Sequence, residues 1–224
     1  MKKVFLIIIF VIVFILTFFI KNYPFFNINA DKVFSQIQYS LYILNNDEFE
    51  VELSFGEREE PFNDNGKPSK NVKYSLLEIQ FKNRDINSNY IFINLKINNN
   101  ISQYKLIKNP FKNSFIEDIK LNEIYDDNLY INIEDINDNY YNLQCVSKLF
   151  NFSYNDAKEK CVNEYKTYLL DKLNEHKNFE CYLTIAKGYN TKTVYYWKLK
   201  ILTTDFETKY ALFDVDTLEL ILRT

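Results

Sequence analysis

Apolar and polar residues alternate strictly in the stretch Phe49-Glu50-Val51-Glu52-Leu53-Ser54-Phe55. A period of two places every second side chain on the same face of a strand, so one face of this segment is predicted to pack and the other to meet water. The preceding segment, Ile37–Ile43, alternates in the same way and ends at Asn45-Asn46-Asp47. Because asparagine and aspartate favour tight turns, the two segments are predicted to form a β-hairpin.

The same period recurs along the chain as far as Gln144. Asparagine and aspartate must form most of the turns, because the whole chain has 3 glycines and 4 prolines. Six or seven short strands at this spacing indicate an antiparallel sheet, a sandwich or a partial barrel for a first domain, residues 33–145. Further strands are predicted over residues 72–81, 90–97, 101–107, 115–121 and 129–133.

The pattern changes at Ser153-Tyr154-Asn155-Asp156, which is typical of a helix start with a capping box. Apolar residues then recur at helical spacing as far as Leu173, which predicts one amphipathic helix of about 22 residues. A meander of three or four strands follows, over residues 179–186, 194–202, 210–215 and 218–222. This helix and meander form the predicted second domain, residues 150–224, and the fold class predicted for the chain is α+β with an N-terminal transmembrane helix.

The end of the chain carries an aromatic-rich segment, Tyr195–Ile201, and then the segment Tyr210–Ile221, which contains Asp214-Val215-Asp216-Thr217-Leu218-Glu219. This ending resembles that of PepSY-type modules, in which a tryptophan-bearing strand leads to a strand that closes on an Asp-x-x-Thr-Gly-Glu-like turn. Leu218 stands where that pattern has glycine, and the chain has one such module. The resemblance implies a small extracytoplasmic α+β module, often regulatory or inhibitory, and it carries no site residues over.

Residues 4–20 are an unbroken apolar run without charge, glycine or proline. As a helix with a rise of about 1.5 Å per residue, the run is about 26 Å long, close to the hydrocarbon core of a bilayer at about 30 Å. We therefore expect residues 1–26 to be a membrane anchor with an aromatic collar, and the lipid bilayer to be the partner of residues 4–20. A cleaved signal peptide with a site at Ile28-Asn29-Ala30, and hence a secreted protein, is the alternative.

The lysines flanking this run predict the side of the membrane on which the protein lies. Lys2 and Lys3 precede the run, whereas Lys21 and Lys32 follow it. Because positive residues are retained on the cytoplasmic side, this bias favours a cytoplasmic N-terminus and extracytoplasmic domains.

Composition excludes some classes of partner and structure. Hydrophobic residues make up 47% of the chain and aromatic residues 17%, which is enough for a packed core. A formal net charge of −3 supplies no basic field, so no nucleic-acid partner is expected. Trp197 lies within an alternating face and is predicted to be a core residue.

The three cysteines, Cys145, Cys161 and Cys181, lack the close pairs that zinc and redox sites use. They are predicted to be small buried hydrophobic residues, with a Cys145–Cys161 disulfide as the alternative. His176 is the only histidine, which argues against a Ser-His-Asp site and against zinc. No metal or other cofactor is expected.

The densest irregular segment is Gly56–Pro68, which holds two of the three glycines and two of the four prolines. Its carboxylates are potential cation ligands and its arginine is a potential clamp for an anion, although the order of a calcium loop is absent. The candidate binding loop comprises Glu57, Arg58, Glu59, Glu60 and Asp64.

These observations favour a membrane-anchored extracytoplasmic protein that acts by binding, with a regulatory or structural role and a protein partner at the envelope. No catalytic signature is present, so an enzyme is not expected. Two alternatives stay open: an extracytoplasmic hydrolase that uses carboxylates of the Glu57–Asp64 loop, and a secreted effector or adhesin.

Overall fold

The computed structural model describes residues 33–59, 71–121, 128–134, 136, 138–175, 178–188 and 194–224. Strands make up 57% of these residues and helices 14%. The thirteen strands found in this part of the chain belong to one sheet.

The elements are numbered in chain order. The strands are β1 Phe34–Asn45, β2 Phe49–Glu59, β3 Asn71–Phe81, β4 Tyr90–Ile97, β5 Asn100–Lys108, β6 Ser114–Asp118, β7 Leu129–Ile133, β8 Tyr141–Asn142, β9 Gln144–Cys145, β10 Phe179–Lys187, β11 Tyr195–Thr203, β12 Thr208–Asp214 and β13 Leu220–Arg223. The helices are a 3-10 helix over Val146–Leu149, α1 over Tyr154–Glu164 and α2 over Lys166–Asn174.

The first part of the sheet closes on itself. Its strand order is β1-β2-β3-β6-β5-β4-β7-β8, and β8 continues through Leu143 into β9, which pairs with β1. Phe49, Val51 and Leu53 point into the enclosed space and are fully buried, while Glu50 and Glu52 lie on the outer side. The packed face predicted from the alternating stretch is therefore confirmed, and it fills the interior of a cylinder.

The second part of the sheet is the antiparallel meander β10-β11-β12-β13, with α1 and α2 packed on one face. It is joined to the cylinder by β1, which pairs in parallel with β10 through Phe34 opposite Cys181 and Ile37 opposite Leu183. Phe34 and Ile37 belong to the core under the helices, whereas Tyr42 belongs to the core of the cylinder. A single strand thus contributes to both hydrophobic cores.

The predicted α+β fold is wrong for this structure, which is mostly one large sheet; the N-terminal transmembrane helix that was part of that prediction lies outside the described residues. Periodicity located the strands but not the parallel pairing of β1 with β10, which joins strands from residues 33–145 and 150–224 in one sheet. The predicted single helix is also interrupted at Tyr165, where φ is −106° and ψ is 13°, so two short helices form. The capping box at Ser153 is confirmed.

Within the described ranges, no helix is both long and apolar enough to cross a bilayer. The predicted anchor, residues 1–26, lies outside those ranges, as does His176.

Candidate functional site

The candidate site lies at the point along β1 where its pairing changes from β10 to β9. Its first half pairs with β10, with Ile37 opposite Leu183, and its second half pairs with β9, with Tyr42 opposite Cys145. Because β2 occupies the other edge of β1, β10 and β9 use the same edge and must diverge. We call this point of divergence the fork.

A β-bulge bends β1 at the fork. Gln38 is opposite Gly56 and Ser40 is opposite Phe55, so Tyr39 is an extra residue without an opposite number on β2. Bulges increase the local twist and redirect a side chain. Here the ring of Tyr39 lies against the ring of Tyr154 at the start of α1, with 4.4 Å between centroids.

Polar side chains bind the backbone groups that the divergence leaves without a strand partner. Gln38, which is 5% exposed, accepts a hydrogen bond from the Ile185 backbone N–H at 3.0 Å through its Oε1. Its Nε2 donates to Ser54 Oγ at 3.1 Å. The Leu41 backbone N–H donates to Ser147 Oγ at 3.3 Å. Since buried backbone N–H groups need a partner, these side chains stabilise the fork in its open form.

The open fork contains a cavity of about 200 Å³, which we call the fork cavity. Aromatic rings and short hydroxyl or thiol side chains form most of its wall, and it has one cationic side chain, that of Lys148. The lining residues are Tyr39, Ser40, Tyr42, Cys145, Ser147, Lys148, Phe152, Ser153, Tyr154 and Trp197.

Trp197 forms one wall of the fork cavity. Its side chain is 1% exposed, and its ring meets Phe150 edge-on at 5.7 Å, so the prediction of a core residue is confirmed. The indole Nε1–H has no hydrogen-bond partner among the described residues. A buried donor without an acceptor costs about 1–3 kcal/mol.

The first turn of α1 borders the cavity, but the partial positive charge of this helix end is already neutralised by a carboxylate. The Ser153 backbone N–H donates to Asp156 Oδ2 at 2.8 Å, and the Asp156 N–H donates to Ser153 Oγ. Hydrogen bonds from the Ser153 hydroxyl and backbone N–H lower the pKa of Asp156. Because Asp156 supplies the negative charge that a helix start attracts, this end of α1 gives an added anion little stabilisation.

The structure separates the predicted binding loop from the fork cavity. Glu57, Arg58 and Glu59 lie in the last part of β2, and none of them lines the cavity. Arg58 Nη2 binds Asp118 Oδ2 at 2.8 Å, and its guanidinium lies 5.4 Å from the Tyr74 ring centroid. Arg58 is thus engaged within the protein. The other two predicted members, Glu60 and Asp64, lie outside the described residues.

A carboxylate and lysine cluster also lies beyond the fork, and sequence reasoning did not single it out. Lys187, the last residue of β10, contacts Glu50 and lies 2.8 Å from Glu52 Oε1. Glu52 is opposite Glu78 on β3, and burial together with the charge of Glu78 raises the pKa of Glu52. Burial lowers the pKa of Lys187. The cluster ties the free end of β10 to β2, and the only sequence signal for it was the acidic face of the alternating stretch.

The cysteines do not form the alternative disulfide. All three are free thiols, so a Cys145–Cys161 bridge is wrong for this structure. Cys161 and Cys181 are buried in the core under the helices, whereas Cys145 is half-buried beside the cavity. Burial raises the pKa of Cys181 to about 12, which keeps this thiol protonated at neutral pH. Among the residues with described positions, no cluster of three or more His, Cys, Asp or Glu is arranged to hold a metal ion.

The resemblance of the C-terminal segment to PepSY-type modules stays a prediction. Leu218, which replaces glycine in that pattern, has φ of 55°, a left-handed conformation that glycine adopts more readily. No protein-family model matches this chain, and no curated protein or solved structure matches it.

Proposed function

We propose that this protein is a binding module that takes one apolar or aromatic side chain of a partner protein into the fork cavity. The observation that carries this proposal is the size of the cavity together with its wall. At about 200 Å³ it is smaller than the sites of about 300–1,000 Å³ that hold drug-sized molecules or cofactors. A single large side chain needs less room, and aromatic walls provide the contact area for it.

The polar groups of the wall favour an uncharged guest, because the cationic Lys148 already has an interaction within the protein. Asp156 already occupies the positive end of α1, and the Ser147 hydroxyl is used by the backbone of Leu41. Anchoring by one buried side chain is typical of the central residue of a protein interface.

This proposal retains the binding role that the sequence indicated. Extracytoplasmic placement and a regulatory effect on the partner stay predictions from sequence. The hydrolase alternative is less supported, because the described acids of the Gly56–Pro68 segment lie apart from the cavity. Glu52 and Glu78 lie on the outer side of the sheet, where Lys187 and Lys112 approach them.

The experiment uses Trp197, the only tryptophan in the chain, as a reporter in the wall of the site. N-acetyl-phenylalaninamide and N-acetyl-leucinamide are titrated while the tryptophan emission is followed, with N-acetyl-glutamate amide as the charged comparison. The first two are expected to change the emission in a saturable way, and the third is not.

A cavity-filling variant provides the control. Ser40→Phe places a ring within the cavity and is expected to abolish the response, whereas Ser102→Phe, at an exposed position of β5, is expected to retain it. The absence of a saturable response in the unmodified protein, or an equal response in Ser40→Phe, would contradict the proposal.

A further inference from the structure

The meander β10–β13 has a second face on which no described element packs. The first face is covered by α1 and α2, and its residues Leu183, Leu199 and Phe213 belong to the core under these helices. The side chains that alternate with them, such as those of Tyr182 and Tyr210, belong to neither hydrophobic core. We call this helix-free surface the open face.

Tyrosines and lysines interleave across the open face. Lys200 on β11 lies directly between Tyr182 on β10 and Tyr210 on β12. Lys200 Nζ is 5.5 Å from the Tyr182 ring centroid, and Lys198 Nζ is 5.5 Å from the Tyr210 ring centroid. Two positive groups on residues about 7 Å apart along one strand thus each lie over a tyrosine ring.

These two ammonium groups have no carboxylate partner among the described residues, although acids lie on the same face. Glu180 accepts a hydrogen bond from the Tyr182 hydroxyl. Asp214 Oδ1 accepts from the backbone N–H groups of Asp216 at 2.8 Å and Thr217 at 2.9 Å. The carboxylates are therefore engaged locally, while Lys198 and Lys200 keep only their contacts with the tyrosine rings.

We propose that the open face binds a sugar chain that carries carboxylates, such as a uronic acid polymer. A tyrosine ring offers an apolar surface for the C–H face of a sugar and a hydroxyl for its polar edge. Tyr182 and Tyr210 are two strands apart, about 9.6 Å, close to the length of two sugar units. The Lys200 ammonium lies over the Tyr182 ring and the Lys198 ammonium over the Tyr210 ring, so each tyrosine has a positive group beside it for the carboxylate of its sugar.

The sparse charge of the open face separates this partner from a nucleic acid. A nucleic-acid duplex carries one negative charge per about 1.7 Å of its axis, and proteins that bind it neutralise many of these charges with lysine and arginine side chains. Here two lysines are bordered by Glu180 and Asp214, and the whole chain has a net charge of −3. A polymer with widely spaced carboxylates meets the two lysines without strong repulsion from the bordering acids.

The test is isothermal titration of the protein with three probes of similar length: an oligogalacturonate, a neutral gluco-oligosaccharide and an oligothymidylate. Oligogalacturonate is expected to bind, and more weakly as salt is raised. The Lys198→Gln/Lys200→Gln variant is expected to lose at least about tenfold in affinity, since each charged hydrogen bond contributes roughly that factor.

The matched control is Lys96→Gln/Lys105→Gln, which removes the same charge. Lys96 and Lys105 also lie over tyrosine rings, those of Tyr140 at 5.9 Å and Tyr90 at 4.1 Å, but on the cylinder. This variant is expected to bind like the unmodified protein. The inference is overturned by the absence of oligogalacturonate binding, by equal loss in both variants, by equal binding of the neutral sugar, or by tighter binding of oligothymidylate.

The outcome is independent of the fork cavity. Trp197 is on the opposite face of β11 from Lys198 and Lys200, so the sugar is expected to leave its emission unchanged. Ser40→Phe is expected to retain full sugar binding. Failure of one proposal therefore does not imply failure of the other.

Discussion

Gln38 and Ile185 are joined by a buried hydrogen bond of 3.0 Å from the Ile185 backbone N–H to the Gln38 side-chain oxygen, at the point where β1 and β10 part. The Gln38 side-chain oxygen accepts the hydrogen bond that a backbone carbonyl of a neighbouring strand would otherwise accept. The fork cavity exists because the two strands separate at a position where their polar groups can be satisfied without pairing.

Replacing Gln38 by leucine is expected to lower the free energy of unfolding by about 1–3 kcal/mol, because the Ile185 N–H is left buried without an acceptor. The control is Gln80→Leu, at an exposed position of β3, which is expected to change it by less than about 0.5 kcal/mol. Urea unfolding followed by circular dichroism measures both. Equal effects of the two substitutions would contradict the role assigned to Gln38.

Gly56 is expected to tolerate no side chain. A Cβ there would lie 2.1 Å from the Ile37 carbonyl oxygen and 2.8 Å from the Tyr74 ring. Gly56→Ala is expected to destabilise the fold by about 1–3 kcal/mol, because backbone must move to relieve the overlap. Thermal unfolding compares it with Ser102→Ala, at an exposed site. If the alanine variant melts with the control, the close approach of β1 and β2 at the bulge is wrong.

The capping box at α1 predicts a pH dependence with a defined sign. The pKa of Asp156 is lower in the folded protein than its ordinary value of 3.8, so the unfolded state binds the proton more readily. The stabilisation is therefore complete above that ordinary value and is lost as pH falls through the lower folded pKa. Asp156→Asn is expected to remove this part of the acid dependence, measured as the free energy of unfolding from neutral pH to about pH 2. An unchanged profile would contradict the capping role.

Phe206 offers a site for stabilisation. It lies in the turn between β11 and β12 with φ of 63° and is 89% exposed, so it bears left-handed strain with little packing in return. Phe206→Asn is expected to raise the free energy of unfolding by about 0.5–1 kcal/mol, because asparagine adopts this conformation more readily. Leu218 has a similar φ of 55° but packs against the core under the helices. Leu218→Asn is therefore expected to leave the free energy of unfolding without any increase, because the lost packing offsets the relieved strain. Chemical denaturation distinguishes the two variants, and a loss of stability in Phe206→Asn would contradict the account.

Strand positions followed from alternation because a period of two is visible in the sequence itself. The face of β2 that carries Phe49 and Val51 is an example. The capping box at Ser153 is equally local, because it depends on two residues three positions apart. Pairing partners do not follow in this way. Nothing local to Ile37 indicates that it lies beside Leu183, and that pairing joins the strands of the two parts of the chain in one sheet.

The candidate sites depend on the same non-local pairing. The aromatic residues Tyr39, Tyr154 and Trp197 meet only because β1 bends at its bulge and α1 starts beside it. Lys200 and Tyr182 are neighbours through strand register. The sequence predicted a binding loop at Glu57–Asp64 because charged, irregular segments often bind ligands. In the structure, Arg58 forms an ion pair with Asp118 within the protein.

The most direct test of the central claim is the nuclear magnetic resonance signal of the single indole N–H, that of Trp197. On addition of N-acetyl-phenylalaninamide, the signal is expected to shift in proportion to occupancy, because the bound group places an aromatic ring against the Trp197 wall of the cavity. The Ser40→Phe variant is expected to show no such shift. An indole signal that stays fixed at high concentrations of the probe, or that shifts equally in the filled variant, would contradict a side-chain site at the fork.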